Sequence, residues 1–159
     1  RDVIEHALAC LSPVPEVVVL LQPTTPFRRP ERIREVVALL KSSGADCVMT
    51  VTPIPTRFCP EWAWTVGRDG RAAPWHRDMC QPSRRQAVTR AFSRDGGVYA
   101  FFARSFHAFG TIYGEDCRAI EVSPEEAVNL DEEADWREAE RRLHDYESSV
   151  RILEEAGVL

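Results

Sequence analysis

The sequence has no long apolar run. Its longest unbroken aliphatic stretch, Val17-Val18-Val19-Leu20-Leu21, is far too short to cross a bilayer, and the N-terminus lacks a basic-then-apolar secretory pattern. A cytoplasmic protein with no membrane partner is expected. Cysteine is thinly used: Cys10, Cys47, Cys59, Cys80 and Cys117 form no C-x-x-C pair, and their odd number leaves one unpaired under any bridging, so neither a zinc site nor a disulfide framework is indicated. Excess positive charge is also missing. With 20 Lys and Arg against 25 Asp and Glu, the net charge is −5, which argues against a nucleic-acid partner and for a small-molecule ligand. There is no internal repeat, low-complexity segment or interdomain linker. His6, His76, His107 and His144 share no spacing or carboxylate companion that would give them a catalytic role.

What is present is a chain of 159 residues, 44% hydrophobic and 28% charged, suited to one globular domain with a real core. Arg1 stands where an initiator Met would, and "DVIEHALACL" already reads as a helix with Ile4, Leu8 and Leu11 on one face, so the chain is expected to begin inside a domain. "EVVVLLQ" is short, β-branched and apolar throughout, the pattern of a strand buried on both faces as in a parallel sheet. Pro30 then sits at a first helical position, and Ile33, Val36, Val37 and Leu40 recur on one face up to Gly44. "DCVMTVTP" supplies a second strand, so strand, helix and strand form the crossover unit of an α/β sheet.

From Ile54 to Ser93 the pattern loosens into Pro, Trp and Arg, with "VGRDGRA" as a tight turn between two short strands. "GVYAFFA" returns to the sheet with Val98, Ala100 and Phe102 on one face and Tyr99 and Phe101 on the other, and "CRAIEV" is a further strand. A last helix places Trp136, Ala139, Leu143, Tyr146, Val150 and Leu153 on one apolar face, opposite a densely charged one.

The most informative stretch is Leu20-Leu21-Gln22-Pro23-Thr24-Thr25-Pro26-Phe27-Arg28. Ligands of open α/β sheets collect beyond the C-terminal strand ends, and this end carries an amide, two hydroxyls and a guanidinium that suit an oxygen-rich ligand. A rigid strand-to-helix connection capped by Thr24 and Thr25 fits the same residues. Asp131, ahead of the last helix, reads from its position as an N-terminal cap, with Glu132 and Glu133 favouring the dipole.

"LLQPTTPFR" closely resembles the "LLQPTSPLR" segment of acylneuraminate cytidylyltransferases, the enzymes that make CMP-sialic and related CMP-nonulosonic acids. "GADCVMTVTP", "RRQAVTRAFSRDGGVYAF" and "VNLDEEADWREAE" follow in that family's order. The resemblance covers most of the chain and corresponds to the C-terminal two-thirds of such an enzyme. It implies a three-layer, Rossmann-like α/β fold of the nucleotide-diphospho-sugar transferase type. It also implies a single domain over 1–159, with a dimerisation arm within about 60–93.

By position, the resemblance implies that Gln22 faces the sugar acid and that Arg85, counted as catalytic, and Gln86 lie next to the sugar pocket; Thr24, Thr25 and Arg28 are expected to bind substrate as polar groups of the Gln22 loop. Arg85 suits a carboxylate, because a planar guanidinium can hold it through two parallel hydrogen bonds. Asp95 stands where the family usually has Asn and is counted with the substrate-binding residues; the Gly96-Gly97 pair after it suits either a plain turn or backbone lying against a ligand. The family's magnesium-binding pair of aspartates falls on Asn129 and Asp131, with Asp131 also counted as catalytic. The first of these is here an amide, which supplies a carbonyl oxygen but no charge.

Nothing in the sequence resembles the family's Gly/Arg/Lys loop for the triphosphate, and "RDGRA" at Arg68–Ala72 lacks its lysine and flanking elements. These 159 residues alone are therefore expected to bind no CTP and to be inactive. The activity implied is transfer of CMP from CTP to a sugar acid with Mg2+, in a homodimer whose arm carries Trp62, Trp64 and Trp75. Transfer to another acid, such as a 3-deoxy-octulosonate or a phosphonate, and a non-catalytic binding module of the same fold both remain open.

Overall fold

The structure is a computed structural model that describes residues 1–75, 84 and 88–155, those from 148 onward as backbone alone. Helix α1 (Asp2–Ala9) leads to strand β1 (Val17–Leu20), helix α2 (Pro30–Ser43) and strand β2 (Cys47–Pro53). Two 3₁₀ turns, Thr56–Phe58 and Pro60–Trp62, precede a hairpin of β3 (Trp64–Val66) and β4 (Ala72–Pro74). The chain returns as β5 (Phe92–Phe102), α3 (Ala103–Phe109), β6 (Cys117–Glu121) and α4 (Glu133–Glu155). Pro30 opens α2, where a missing N–H costs nothing, and Gly44 closes it at φ 68° while donating to Leu40.

The main sheet has the order β1-β5-β2-β6. The β1–α2–β2 crossover is present, but its two strands are not neighbours: β5 lies between them, antiparallel to both, and β6 runs parallel to β2. The sheet is therefore mixed rather than wholly parallel. Nor is β1 the fully buried strand expected: among the described residues it lies at the edge of the sheet with Val17–Leu20 half-buried, because an apolar run marks a strand but not its place in the sheet.

Helices cover both faces, giving three layers. Val36 and Leu40 of α2 pack on Val48, Val98, Ala100 and Phe102, while Leu8 of α1 and Phe106 of α3 pack on Cys47 and Phe101. The alternation expected in "GVYAFFA" thus divides between two cores, each full burial of a large apolar side chain contributing roughly 1.5–3 kcal/mol. Helix α3 is an element that the apolar pattern did not mark; its signal is Gly110, at φ 66° as the left-handed cap. Among the described residues, Cys10, Cys47, Cys59 and Cys117 are free thiols, and burial pushes the Cys47 thiol well up.

Helix α4 departs from expectation. Ala139 is buried, but Trp136 is 53% and Tyr146 67% exposed, and Leu143 is about half exposed. Val150 and Leu153 fall among the residues whose side chains are not described. Periodicity reports an apolar stripe, not the surface that covers it. The β3–β4 hairpin forms a separate two-stranded sheet, its turn closed by the Gly67 and Gly70 N–H groups, and Trp64 and Trp75 are both more than half exposed. No helix among the described residues is long and apolar enough to cross a membrane.

Asp46 joins three elements. Its Oδ1 accepts from Ser105 Oγ at 2.7 Å on α3, and its Oδ2 accepts from the N–H groups of Glu115 and Asp116 at 3.0 and 3.1 Å ahead of β6. The Ser105 bond first, then the two N–H groups, hold its carboxyl below the usual range. A group with a depressed folded pKa stabilises above its unfolded value and loses that contribution as pH falls through the folded one. Urea unfolding should therefore show stability declining below about pH 4. Asp46→Asn should be less stable than wild type at pH 7, with the gap closing toward pH 3. A gap that does not change with pH would show that the charge on Asp46 is not what matters.

Candidate functional site

The site is built at the end of the sheet where β1 and β2 finish and β5 begins. Leu20, the last residue of β1, pairs with Tyr99, so the start of β5 runs on past it. Against β2 the register breaks: Met49 pairs with Tyr99 and Val51 with Arg94, leaving Thr50 alone opposite Asp95, Gly96, Gly97 and Val98. The extra residues of β5 bend out as a bulge. Asp95 turns back under it, 6% exposed, and Thr50 Oγ1 donates to its Oδ1 at 2.6 Å; the Val98 N–H donates to Thr50 Oγ1 at 2.9 Å.

Two glycines make this bulge possible. Gly96 has φ 77°, and a Cβ there would stand 2.5 Å from Gln22 Oε1 and 2.9 Å from Thr25 Oγ1. A Cβ on Gly97 would stand 2.6 Å from Asp95 Oδ2. The Gly-Gly pair thus lets the connection after β1 lie directly on the backbone of β5.

That connection is latched to the bulge by its own side chains. Thr25, buried at 1% exposure, donates Oγ1 to the Asp95 carbonyl at 3.3 Å. Arg28 donates Nε to the Gly97 carbonyl at 2.6 Å and Nη2 to the Gln22 carbonyl at 2.7 Å. Of the residues expected to meet a ligand, Thr25, Arg28 and Asp95 are therefore engaged in shaping the loop. Gln22 is exposed and Thr24 half-buried at its tip.

The segment between β6 and α4 closes the other side. The Leu130 N–H donates to the Thr24 carbonyl at 2.8 Å, which brings Asn129 and Asp131 to the loop that carries Gln22. Asn129 Nδ2 donates to Asp131 Oδ2 at 2.5 Å, while Asn129 Oδ1 is buried with no hydrogen-bond partner. A buried carbonyl oxygen without a donor is costly unless something else engages it. Asp131 is not the cap that its position suggests: the N–H groups of Asp131 and Glu132 go to Asp135 Oδ2 at 3.0 and 2.9 Å, reaching back from the first turn of α4. The Asp131 carboxylate is thereby spared from capping, with Oδ2 accepting from Asn129.

Arg85 and Gln86 lie outside the described residues. The sequence reading passed over Thr50, whose signal is one of two hydroxyls in an otherwise apolar strand, and Leu130, which acts through its backbone and carries no signal. It also passed over Glu126, whose carboxylate is about nine-tenths buried and accepts from Arg32 Nε at 3.0 Å and Nη2 at 3.1 Å. Those bonds hold the Glu126 carboxyl below its usual range. A hollow of about 700 Å³ lies along α4, lined by Phe27, Leu143 and Tyr146 together with Arg29, Arg142 and the carboxylates of Glu125, Glu126 and Asp145. Among the described residues no three His, Cys, Asp or Glu side chains cluster as a metal site, so a cation at Asn129 and Asp131 would need ligands from a bound substrate or water.

No family model matches the chain. It is 28% identical over 133 residues to CMP-N,N'-diacetyllegionaminic acid synthase of Legionella pneumophila, a match covering 79% of this chain and 53% of that protein. It is 28% identical over 130 residues to N-acylneuraminate cytidylyltransferase A of Danio rerio, covering 80% of this chain and 29% of the relative. It is 26% identical over 137 residues to N-acylneuraminate cytidylyltransferase of Oncorhynchus mykiss, covering 85% and 30%. The chain thus spans about half or less of the length of these curated relatives.

Two solved structures share its fold. One is 4-diphosphocytidyl-2C-methyl-D-erythritol synthase of Anaerococcus prevotii, with a TM-score of 0.60 and 14% identity over 89% of this chain and 64% of that one. The other is CMP:2-keto-3-deoxy-manno-octonic acid synthetase complexed with CTP, with a TM-score of 0.59 and 14% identity over 92% and 68%. The fold is the Rossmann-like, three-layer α/β type expected from the sequence.

The glycine contact can be tested by itself. Gly96→Ala should lower stability by about 1–3 kcal/mol from backbone strain and displace the Gln22 side chain. Gly70→Ala, at φ 78° with open space around it, carries similar strain without the contact. Urea unfolding should show the larger loss at Gly96, and the Gln22 side-chain amide resonances should move only in that variant; equal losses with unmoved resonances would overturn the contact.

Proposed function

We propose that this chain, a relative of the acylneuraminate-type cytidylyltransferases, forms the acceptor and metal side of an enzyme that transfers CMP from CTP to a sugar acid. The observation that carries the reading is spatial. The motifs of the resemblance around Gln22, Thr50, Asp95 and Asn129, far apart in sequence, converge at one end of the sheet, joined by the Leu130 bond to Thr24 and the Thr50 bond to Asp95. Independent surface features would have no reason to meet there.

In this reading the anomeric hydroxyl of the sugar acid attacks the α-phosphate of CTP, the P–O bond to the β-phosphate breaks, and pyrophosphate leaves. The leaving group already supplies the driving force, so the protein contributes position and charge compensation. Gln22 offers an exposed amide to the acceptor from a loop that Arg28 and Thr25 hold rigid. Arg85 and Gln86 would take the acceptor carboxylate. Asn129 Oδ1 and the Asp131 carboxylate would hold a magnesium ion, a fit supported by the partnerless Asn129 oxygen; when bound, the ion supplies positive charge to the phosphate oxygens.

In the full-length protein, Asp131→Asn should lower turnover by roughly two orders of magnitude or more. It should change stability by about 0.5 kcal/mol or less, since Asp135 does the capping. Asn129→Asp should lower the magnesium concentration needed for half-maximal rate. The assay is pyrophosphate release from CTP with a panel of nonulosonic acids, a 3-deoxy-octulosonate and a phosphonate, the product mass identifying the acceptor. If no acid yields a CMP adduct, the non-catalytic reading, to which the amide at position 129 already lends weight, replaces this one.

The exposed Trp64 and Trp75 support a homodimer formed through the hairpin arm, because rings of this size gain most from burial. Light scattering at micromolar concentration should give a dimer mass, and Trp64→Glu with Trp75→Glu a monomer; a monomeric wild type would refute the arm's role.

A further inference from the structure

Two connections make up the site, and each has little of its own structure. One is the β1–α2 loop with Gln22 and Thr24; the other runs from β6 to α4 and carries Asn129 and Asp131. The Leu130 bond to Thr24 joins them at one point. One point of attachment fixes a distance but leaves rotation about it. The second point lies three residues before Asn129. Glu126, on a turn in which its N–H and that of Ala127 donate to the Ser123 carbonyl, is held by both oxygens in the Arg32 fork, with Arg29 Nε 3.6 Å from Oε1. Arg32 stands in the first turn of α2, directly after the Gln22 loop, and also donates to Glu35 at 2.7 Å, which steadies the guanidinium.

We propose that Arg32 and Glu126 are positioning residues for the cation site. Their two-pronged ion pair is the second clamp that sets Asn129 and Asp131 at a fixed angle to the Gln22 loop. The fork geometry matters more than the charge, because two parallel bonds define a direction whereas a single charge contact defines only a separation. Three residues of chain reach at most about 10 Å, so an error in the direction of Glu126 passes to Asn129 with little slack. Neither residue touches the ion; both act through the backbone between Glu126 and Asp131.

The inference rests on Asn129 and Asp131 as the cation site, so its test must distinguish the two claims. Mn2+ binding to the full-length protein, with and without CTP, can be followed by the free-ion electron paramagnetic resonance signal, independently of turnover. Glu126→Gln should weaken Mn2+ binding about tenfold, the order expected when a partner behind a metal ligand is lost. It should raise the magnesium needed for half-maximal rate while leaving kcat at saturating magnesium within about twofold, an expected split set by the fact that positioning residues touch neither substrate nor reacting atoms. Arg32→Lys, which keeps the charge but not the fork, should fall between the two.

If Glu126→Gln does not fold, the paired variant Arg32→Met with Glu126→Leu restores packing without the fork, since apolar replacements of a buried ion pair are often well tolerated. Weakened Mn2+ binding in the folded double variant supports the inference. Wild-type Mn2+ binding in any folded fork-less variant, alongside loss in Asp131→Asn, overturns the clamp alone. Wild-type binding in Asp131→Asn overturns the cation site and the clamp with it.

Discussion

The placement of β5 governs this molecule. It is inserted between β1 and β2, antiparallel to both, so its residues must be apolar on two faces and must pair on two edges at once. Val98, Ala100 and Phe102 serve one core and Phe101 the other, and the helices on each side dock against what they provide. A strand so constrained has no room for polar function along its length. Its polar residues stand at its start, where the register with β2 breaks.

The break is what shapes this end of the sheet into the candidate site. Extra residues in one strand cannot pair, and the Gly96-Gly97 bulge lets the neighbouring loop approach the backbone more closely than any side chain would permit. Buried polar groups within it are mutually satisfied: Thr50 serves Asp95 and Val98, Thr25 serves the Asp95 carbonyl, and Arg28 serves Gly97 and Gln22. The rigid polar frame leaves Gln22 outward on one side and the Asn129 oxygen without a partner on the other.

Helix α4 illustrates the limits of periodic pattern. Its spacing of Trp136, Ala139, Leu143 and Tyr146 identifies the helix and its apolar stripe, yet only Ala139 of these is buried. Its charged side is laced by Glu138 with Arg141 and Arg142, and Arg142 also donates to the Pro124 carbonyl, tying the helix to the turn after β6. The helix is therefore anchored through its N-terminal region and its polar contacts, the part that matters for Asp131.

The sequence by itself determined the fold class and the main elements other than α3. β-branched runs, a Pro-opened and Gly-closed helix and alternating apolar faces are local properties, each decided within a few residues, and the motif order pointed to the relatives that the chain matches. The Gln22 loop and the Asn129–Asp131 segment were legible as candidates for the same reason. Only the tertiary structure decided that β5 separates β1 from β2, that Asp95, Thr25 and Arg28 turn inward as framework, that Asp135 rather than Asp131 caps α4, and that Glu126 meets Arg32. Each of these depends on partners distant in the chain, or on a choice between two acids equally able to cap. Pairing across such separations is set by the packing of whole layers, which no local pattern of residues encodes.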